Sequence, residues 1–144
     1  MVGLCVLIHA GWRILKKLPD YREKQRILYI DKRSDKDLVE YGDHYLEAGR
    51  ISDASDFYQK ANHVPGLEKI KEAAEASGDV MAFQYVIKAL KKVATDDDWH
   101  RIGQRALELE KYNFALHAFE KCNDTMNIEQ IKNLLKSKDN QKAS

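Results

Sequence analysis

Cysteine, proline and glycine are all scarce in this sequence. Its 144 residues include two cysteines, two prolines and seven glycines. Cys5 and Cys122 lie far apart and share no Cys-x-x-Cys spacing, so we expect neither a disulfide framework nor a zinc knuckle, and we predict a reducing, cytoplasmic location. A strand-rich sandwich is also disfavoured, because it would need turn residues about every 8–12 positions.

The sequence also lacks a long hydrophobic run. Its most apolar stretch, residues 2–12, is broken by Arg13, whereas a membrane-spanning helix needs about 20 apolar residues. No basic residue precedes that stretch, as one would in a secretory signal peptide. With 44% hydrophobic and 33% charged residues, the composition is that of an ordinary globular domain that buries a core without a structural metal.

Motifs that carry chemistry are missing too. The sequence has no Gly-x-x-x-x-Gly-Lys phosphate loop, no dinucleotide-binding Gly-x-Gly-x-x-Gly and no Gly-x-Ser-x-Gly nucleophile turn. No two histidines stand at the spacing of metal ligands. We therefore predict that the protein is not an enzyme, that it needs no cofactor or metal, and that its function lies in a surface. The five histidines are His9, His44, His63, His100 and His117.

Apolar residues do recur at helical spacing along most of the chain. We predict a first helix that Pro19 ends and a short second helix that Asp20 caps, although residues 27–30 would also suit a strand. Three helix pairs follow, in which Gly49 and Gly78 end the first helices of the first two pairs. The predicted segments are 35–62, 66–93 and 96–122 for the pairs, with a helix start at Ser52 and a turn over 62–66, then 125–136 for a last helix and 138–144 for a polar tail.

Two of these pairs repeat one pattern of large and small residues. The pattern is Leu38-x2-Tyr41-Gly42-x2-Tyr45-x3-Gly49-x-Ile51-x2-Ala54-x3-Tyr58-x2-Ala61, and it returns as Trp99-x2-Ile102-Gly103-x2-Ala106-x5-Tyr112-x2-Ala115-x3-Phe119-x2-Cys122. This spacing resembles the tetratricopeptide repeat (TPR), a pair of antiparallel helices. Leu67 begins a degenerate or shortened middle pair, because Leu38, Leu67 and Trp99 are 29 and 32 residues apart where this repeat family runs at about 34, and Ile70-Lys71 replaces its Leu-Gly.

The resemblance implies an all-α fold. We expect a single domain over residues 1–137, built as a right-handed α-solenoid of about three helix hairpins. Residues 1–33 and 125–136 would cap the two ends of this stack. Irregular hairpins of this kind are also similar to the α-solenoid segments of coat and transport-complex subunits.

In the TPR family, the first helix of each repeat lines a concave groove. Carried over to this chain, the groove positions are mostly acidic. We therefore predict a scaffold or adaptor whose groove binds a basic or amphipathic segment of another protein. The alternative is that these acids only solvate the surface. The predicted groove residues are Asp43, Leu46, Glu47, Glu68, Glu72, Glu75, His100, Gln104 and Glu108, with Val39, Asp97 and Leu107 beside them.

The charges are segregated along the chain. Residues 1–36 carry a net charge of +5, residues 37–125 carry −6, and the remainder carries +2. One alternative function follows from the basic start: a peripheral membrane or coat-type subunit whose N-terminal helix contacts lipid or a neighbouring subunit. A basic segment of one chain seated on an acidic segment of another would instead give a homodimer or a self-inhibited groove. Nucleic acid is not an expected partner. The residues proposed for the membrane or subunit contact are Trp12, Arg13, Lys16 and Lys17.

Overall fold

In a computed structural model of the protein, which describes residues 17–143, the chain forms eight α-helices and no strand in that range. The predicted all-α class is therefore confirmed for this part of the chain. No helix in the described range is long and apolar enough to cross a membrane. The helices are α1 (Tyr21–Tyr29), α2 (Asp35–Glu47), α3 (Ile51–Lys60), α4 (Val64–Ser77), α5 (Val80–Ala89), α6 (Asp96–Glu108), α7 (Tyr112–Lys121) and α8 (Thr125–Lys142).

The helix predicted before Pro19 falls mainly outside the described residues. Trp12, Arg13 and Lys16 belong to that undescribed part, and Lys17 is exposed. The next segment is described and is helical, because α1 includes Ile27 and Leu28, both buried. The strand alternative for residues 27–30 is therefore wrong.

Side-chain caps mark most of the helix starts. The Ser34 hydroxyl accepts the backbone N–H of Asp37 at 3.2 Å, and Thr95 forms a capping box with Asp98. Such caps satisfy backbone N–H groups that have no partner within the helix. The residues whose side chains cap a helix in this way are Asp20, Ser34, Asp79, Thr95 and Asp124.

Four helix boundaries differ from the predicted ones. α3 starts at Ile51 rather than Ser52, and α4 starts inside the predicted turn, because Pro65 fits the first turn of a helix, where its missing N–H is not needed. α5 ends at Ala89, before the predicted residue 93. α8 continues to Lys142 through the predicted polar tail, since that stretch contains neither glycine nor proline.

The chain divides into two compact units, residues 1–66 and 67–144. In the first unit, α2 and α3 form a hairpin around fully buried Tyr45, Phe57 and Tyr58. The Tyr45 ring stacks on Phe57 with ring centroids 5.3 Å apart, and its hydroxyl donates to the Pro19 carbonyl at 2.9 Å. α1 is fastened by its buried Lys24, whose ammonium group contacts α3. Apolar packing and one buried ion cluster therefore hold this unit together.

In the second unit, α6 and α7 form a hairpin and α5 and α8 pack against it. Its core includes Phe83 and Phe119, both fully buried, with the Trp99 ring edge-on to Phe83 at 5.3 Å. Gly78 adopts a left-handed φ of 62° beside the backbone of Ala106. The core residues are Ala74, Val80, Phe83, Ile87, Ile102, Ala106, Ala115, Ala118, Phe119 and Ile131.

The α2–α3 and α6–α7 hairpins are the same structure repeated. Each helix boundary of the first hairpin is separated from its counterpart in the second hairpin by the same number of residues. We call this number the repeat offset. The left-handed residues share this offset, Gly49 with Glu110 and Asn62 with Asn123. The sequence repeat therefore corresponds to a repeated backbone. The matched boundaries are Asp35 with Asp96, Glu47 with Glu108, Ile51 with Tyr112 and Lys60 with Lys121.

The glycines of the repeat lie under an aromatic ring of the partner helix. A Cβ atom on Gly42 would come within 2.6 Å of the Tyr58 ring, and one on Gly103 within 2.9 Å of the Phe119 ring. Close approach of the two helices requires the missing side chain at both places. Gly66 at the start of α4 also contacts Tyr58, so this ring is packed between two glycines.

The α4–α5 pair repeats the backbone at unequal intervals. Counted between first residues, α2 and α4 are as far apart in sequence as α3 and α5. The first residues of α6 and α8 are separated by the same interval. The step from α4 to α6 is longer, and so is the step from α5 to α7. The additional residues lie in the connection between Ala89 and Asp96, which exceeds the one between Lys60 and Val64. The middle repeat therefore has full-length helices, and the irregular spacing comes from one longer connection.

Candidate functional site

Two open clefts run along equivalent sides of α2 and α6. Cleft 1, in the first unit, has a volume of about 670 Å³ and cleft 2, in the second, about 530 Å³. Cleft 1 is lined by Asp35, Lys36, Val39, Glu40, Asp43, Ala61, Asn62, His63, Val64 and Pro65. Cleft 2 is lined by Glu75, Ala76, Asp97, His100, Arg101, Ile102, Gln104, Arg105 and Glu108.

The two clefts use matching positions of the repeated hairpin. Four lining residues of α2 and four of α6 are related by the same sequence offset as the helix boundaries. The clefts therefore share the wall formed by the first helix of the hairpin, but their second walls differ: residues 61–65 complete cleft 1, whereas Glu75 and Ala76 of α4 complete cleft 2. The matched lining residues are Lys36 with Asp97, Val39 with His100, Glu40 with Arg101 and Asp43 with Gln104.

The clefts contain about half of the predicted groove residues. Cleft 2 brings together Glu75, His100, Gln104 and Glu108, and cleft 1 includes Asp43. The other predicted residues lie elsewhere on the described surface. Of these, Glu47 and Glu72 are exposed, Leu46 is half-buried, and Glu68 accepts a hydrogen bond from the Lys92 ammonium group at 2.5 Å. Val39 and Asp97 line the clefts, and Leu107 is partly buried against the core of the second unit.

The clefts are less acidic than the sequence predicted. Three acids in cleft 1, Asp35, Glu40 and Asp43, face one cation, Lys36, which gives a net charge of −2. In cleft 2, three acids are accompanied by Arg101 and Arg105, so the net charge is only −1.

The cleft arginines pair with acids on the same helix. Arg105 contacts Glu108 at 2.9 Å and Arg101 contacts Asp98 at 2.6 Å. The members of each pair stand at i and i+3, the spacing of neighbouring side chains on a helix, and this signal could have identified the pairs from the sequence. The two arginines therefore offset two of the three acidic charges of cleft 2.

Asp43 has a structural role in addition to its place in cleft 1. Its carboxylate accepts a hydrogen bond of 2.6 Å from the hydroxyl of fully buried Tyr58. Burial and the nearby Asp43 carboxylate raise the pKa of Tyr58, so the hydroxyl stays protonated. The equivalent pair in the second hairpin is Gln104 and Phe119, which has no hydroxyl to bind. Asp43 therefore joins the cleft wall to the packing of α3.

Glu75 forms the wall of cleft 2 that belongs to α4. Its Oε1 atom is buried and accepts no hydrogen bond. Lys71 and Arg101 each place a charged nitrogen 3.8 Å from that atom. Two cations at this distance make this wall of cleft 2 polar and interact favourably with a carboxylate.

His100 connects cleft 2 to the start of α8. Its Nδ1 atom lies 3.0 Å from an Asp124 carboxylate oxygen, and its ring is edge-on to Phe119. Asp124 caps α8 through the backbone N–H of Asn127. Hydrogen bonds from the Asn127 side chain and backbone, together with His100, lower the pKa of Asp124. The His100 side chain is thus held at the cleft by a carboxylate that is ionised at neutral pH.

Neither cleft has the donor set of a metal or nucleophilic site. Among the residues that the structure describes, no group of three histidine, cysteine, aspartate or glutamate side chains is arranged to hold a metal ion. Cys122 lies outside both clefts and is half-buried, and burial raises the pKa of its thiol. A thiol with a raised pKa is a weak nucleophile at neutral pH.

Comparison of the chain with protein-family models, with curated proteins and with solved structures finds no match. Its function is therefore inferred from the repeated hairpins and the two clefts.

Proposed function

We propose that this protein is a TPR-like α-solenoid module that binds a basic or amphipathic segment of a partner protein along its first helices. The observation that carries the proposal is that cleft 1 and cleft 2 both open along the first helix of a repeated hairpin. Both use the same side of the first helix of a repeated hairpin, at matching positions. Repeats that present one face in this way build extended binding surfaces in solenoid proteins.

The chemistry of the clefts suits a cationic partner with apolar side chains. Cleft 1 combines a net charge of −2 with the apolar side chains of Val39, Val64 and Pro65. Complementary charge speeds encounter and excludes like-charged partners, while apolar contacts contribute most of the affinity. An acidic segment would meet repulsion at this surface.

We propose binding without catalysis, because Asp43 and Glu108 are engaged by Tyr58 and Arg105, and the other acids of cleft 1, Asp35 and Glu40, are exposed surface carboxylates. General acid–base chemistry relies on a carboxyl group that is positioned beside the reacting atoms and shielded from water. We also propose a cytoplasmic location, consistent with the low cysteine content.

A peptide titration tests the proposed function. The probe is a fluorescein-labelled amphipathic peptide of lysine and leucine, compared with the same peptide carrying glutamate in place of lysine. We expect the lysine peptide to bind the protein and the glutamate peptide not to bind. The double variant Glu40→Lys/Glu108→Lys, which changes one acid in each cleft, should weaken binding by about tenfold, equivalent to about 1.4 kcal/mol.

Asp43 is left unchanged in this variant because its loss would disturb Tyr58. A matched control, Glu120→Lys/Asp139→Lys, makes the same change in net charge at exposed positions away from the clefts. Circular dichroism should show parental helicity for both variants. Equal weakening by the two variants would mean that only net charge matters, and no binding of the lysine peptide would refute the proposed function.

A further inference from the structure

The outer side of α1 exposes large apolar side chains between two arginines. Tyr21, Tyr29 and Ile30 are 75%, 68% and 74% exposed, and Arg22 and Arg26 lie among them at helical spacing. The opposite side of the helix carries the buried residues Lys24, Ile27 and Leu28. Glu23 is also exposed on this helix, and Arg26 Nε lies 3.7 Å from an Asp31 carboxylate oxygen. We call the group formed by Tyr21, Arg22, Arg26, Tyr29 and Ile30 the basic–aromatic face.

This composition is typical of a protein interface. Tyrosine and arginine are enriched at interfaces, where they supply most of the binding energy. A group of exposed apolar side chains on one side of a helix differs from the single exposed apolar residues found on most surfaces. Lys60 lies over the Tyr29 ring, 5.5 Å from its centroid, and adds a further positive charge beside the face.

Cleft 1 has the complementary composition. Its acids Asp35 and Glu40 suit the two arginines of the face, since guanidinium and carboxylate groups form paired hydrogen bonds. Its apolar side chains suit the tyrosines and Ile30 of the face. Among them, Val64 is 55% exposed. The volume of about 670 Å³ lies in the range of sites that take several side-chain-sized groups.

The Lys24 ammonium group fixes one side of α1 against its own unit. It binds Asp53 at 2.7 Å and Asp56 at 2.6 Å, both in α3. Arg22, Arg26 and Ile30 lie on the exposed side of α1, opposite these contacts, while Tyr29 also contacts Lys60 of α3. A second copy of the chain supplies a cleft that is not bound by this attachment.

We propose that the basic–aromatic face of one copy docks into cleft 1 of a second copy. This inference rests on the proposed function, because it identifies the basic segment that a first-helix cleft binds. A two-fold arrangement makes the contact twice and closes a dimer, whereas a head-to-tail arrangement makes it once per copy and continues along a chain. A single-stranded nucleic acid is disfavoured as the occupant of the face, because the acids of cleft 1 in the same unit repel phosphates.

Charge exchange between two variants tests the docking directly. Variant F, Arg22→Glu/Arg26→Glu, reverses the face, and variant C, Asp35→Lys/Glu40→Lys, reverses the cleft. In sedimentation velocity we expect the parent to self-associate and each variant alone to weaken association by about tenfold or more. An equimolar mixture of F and C should associate again, because the reversed face of F meets the reversed cleft of C.

Matched controls reverse exposed charges elsewhere, with Lys121→Glu/Lys132→Glu beside F and Glu120→Lys/Asp139→Lys beside C. Neither control should change association, and circular dichroism should confirm folding of all four proteins. Recovery in the mixture excludes unfolding as the cause of the loss in either variant.

Failure of this inference is distinguishable from failure of the proposed function. In a parent that self-associates, the lysine–leucine peptide is titrated against variant F instead, because F keeps cleft 1 unchanged and does not fill it with a second copy. A monomeric parent that still binds the lysine–leucine peptide overturns the self-association and leaves the proposed function standing. A parent that neither associates nor binds that peptide overturns both. A monomeric parent whose basic–aromatic face binds a labelled oligothymidylate, with loss of binding in F, assigns the face to nucleic acid instead.

Discussion

Two glycines that end helices have very different surroundings. Gly49 and Gly78 both adopt a left-handed φ, 74° and 62°, which glycine tolerates without steric cost. A Cβ atom on Gly49 would meet nothing within 4 Å. A Cβ atom on Gly78 would lie 2.8 Å from the Ala106 Cα atom, which belongs to the backbone of α6. Only Gly78 is therefore required for packing as well as for the turn.

We expect Gly78→Ala to lower the free energy of unfolding by about 2–4 kcal/mol, from about 1–2 kcal/mol of left-handed strain and a similar cost of overpacking. Gly49→Ala should cost only the strain, about 1–2 kcal/mol. Urea denaturation with fitted midpoints and slopes measures both values. Equal losses in the two variants would contradict the close packing of Gly78 on α6.

Lys24 is a cation buried inside the first unit and paired with two acids. Burial alone would raise the pKa of Asp53, but the hydrogen bond and charge of Lys24 outweigh it, so the pKa lies below its ordinary value. Replacing Lys24 by methionine leaves Asp53 and Asp56 without this partner. Because both acids keep some exposure to solvent, the loss should be about 2 kcal/mol at pH 7, below the roughly 3–5 kcal/mol of fully buried pairs.

The cost of Lys24→Met should also depend on pH. A lowered pKa in the folded state means that the contribution of Asp53 is complete above its unfolded pKa, about 3.9, and disappears as the pH falls through the folded value. The difference in unfolding free energy between parent and variant should stay constant from pH 7 to about pH 5 and narrow below about pH 4. Urea titrations across this range would show a constant difference if Asp53 were not the group responsible.

The start of each helix in this protein depends on a few local residues. In α8, the capping residue also contacts a second helix. Asp124 binds the backbone N–H of Asn127 at 3.1 Å and contacts His100 of α6 at 3.0 Å. The cap thus satisfies the start of one helix and holds the side chain of another. An asparagine at this place keeps the cap, because its side-chain oxygen accepts the same hydrogen bond.

We expect Asp124→Ala to lower the free energy of unfolding by about 1 kcal/mol and Asp124→Asn by a smaller amount. Amide hydrogen exchange followed by NMR should show faster exchange in the first turn of α8 for the alanine variant only. Faster exchange in both variants would indicate that the contact between the Asp124 carboxylate and His100, rather than the cap, stabilises the start of the helix.

For the molecule as a whole, the charge pattern predicts how self-association responds to salt. Contacts between the basic–aromatic face and cleft 1 are at the surface and are screened, since the Debye length falls from about 10 Å at 0.1 M salt to about 3 Å at 1 M. Association measured by sedimentation velocity should weaken over this range. Stronger association at high salt would point to apolar contacts alone and contradict a role for the arginines.

Much of the fold could be predicted from the sequence. Helical spacing and the cap at Asp20 are local signals, so helix number and most boundaries follow from neighbouring residues. The repeat was visible because the same packing, glycine under an aromatic ring, imposes the same residues at Gly42 and Gly103. α8 was predicted too short, because its exposed polar end carries no apolar pattern and continues only through helix propensity.

Less of the candidate site could be predicted. Acidic residues on the first helices were identified, but a count of charges along the sequence does not show which cations lie among them. Arg101 and Arg105 line cleft 2 and reduce its charge. Tyr58 of α3 engages Asp43 of α2 across the hairpin, and no local pattern reveals that contact.

The sequence by itself determined the helical class, the caps and the repeat, because each depends on residues within a few turns of one another. Only the tertiary structure decided which acids share a cleft, that Lys24 is buried between Asp53 and Asp56, and that Tyr21, Tyr29 and Ile30 of α1 are exposed. These features depend on which side of a helix faces a neighbour, and that choice is made by packing between residues far apart in the chain.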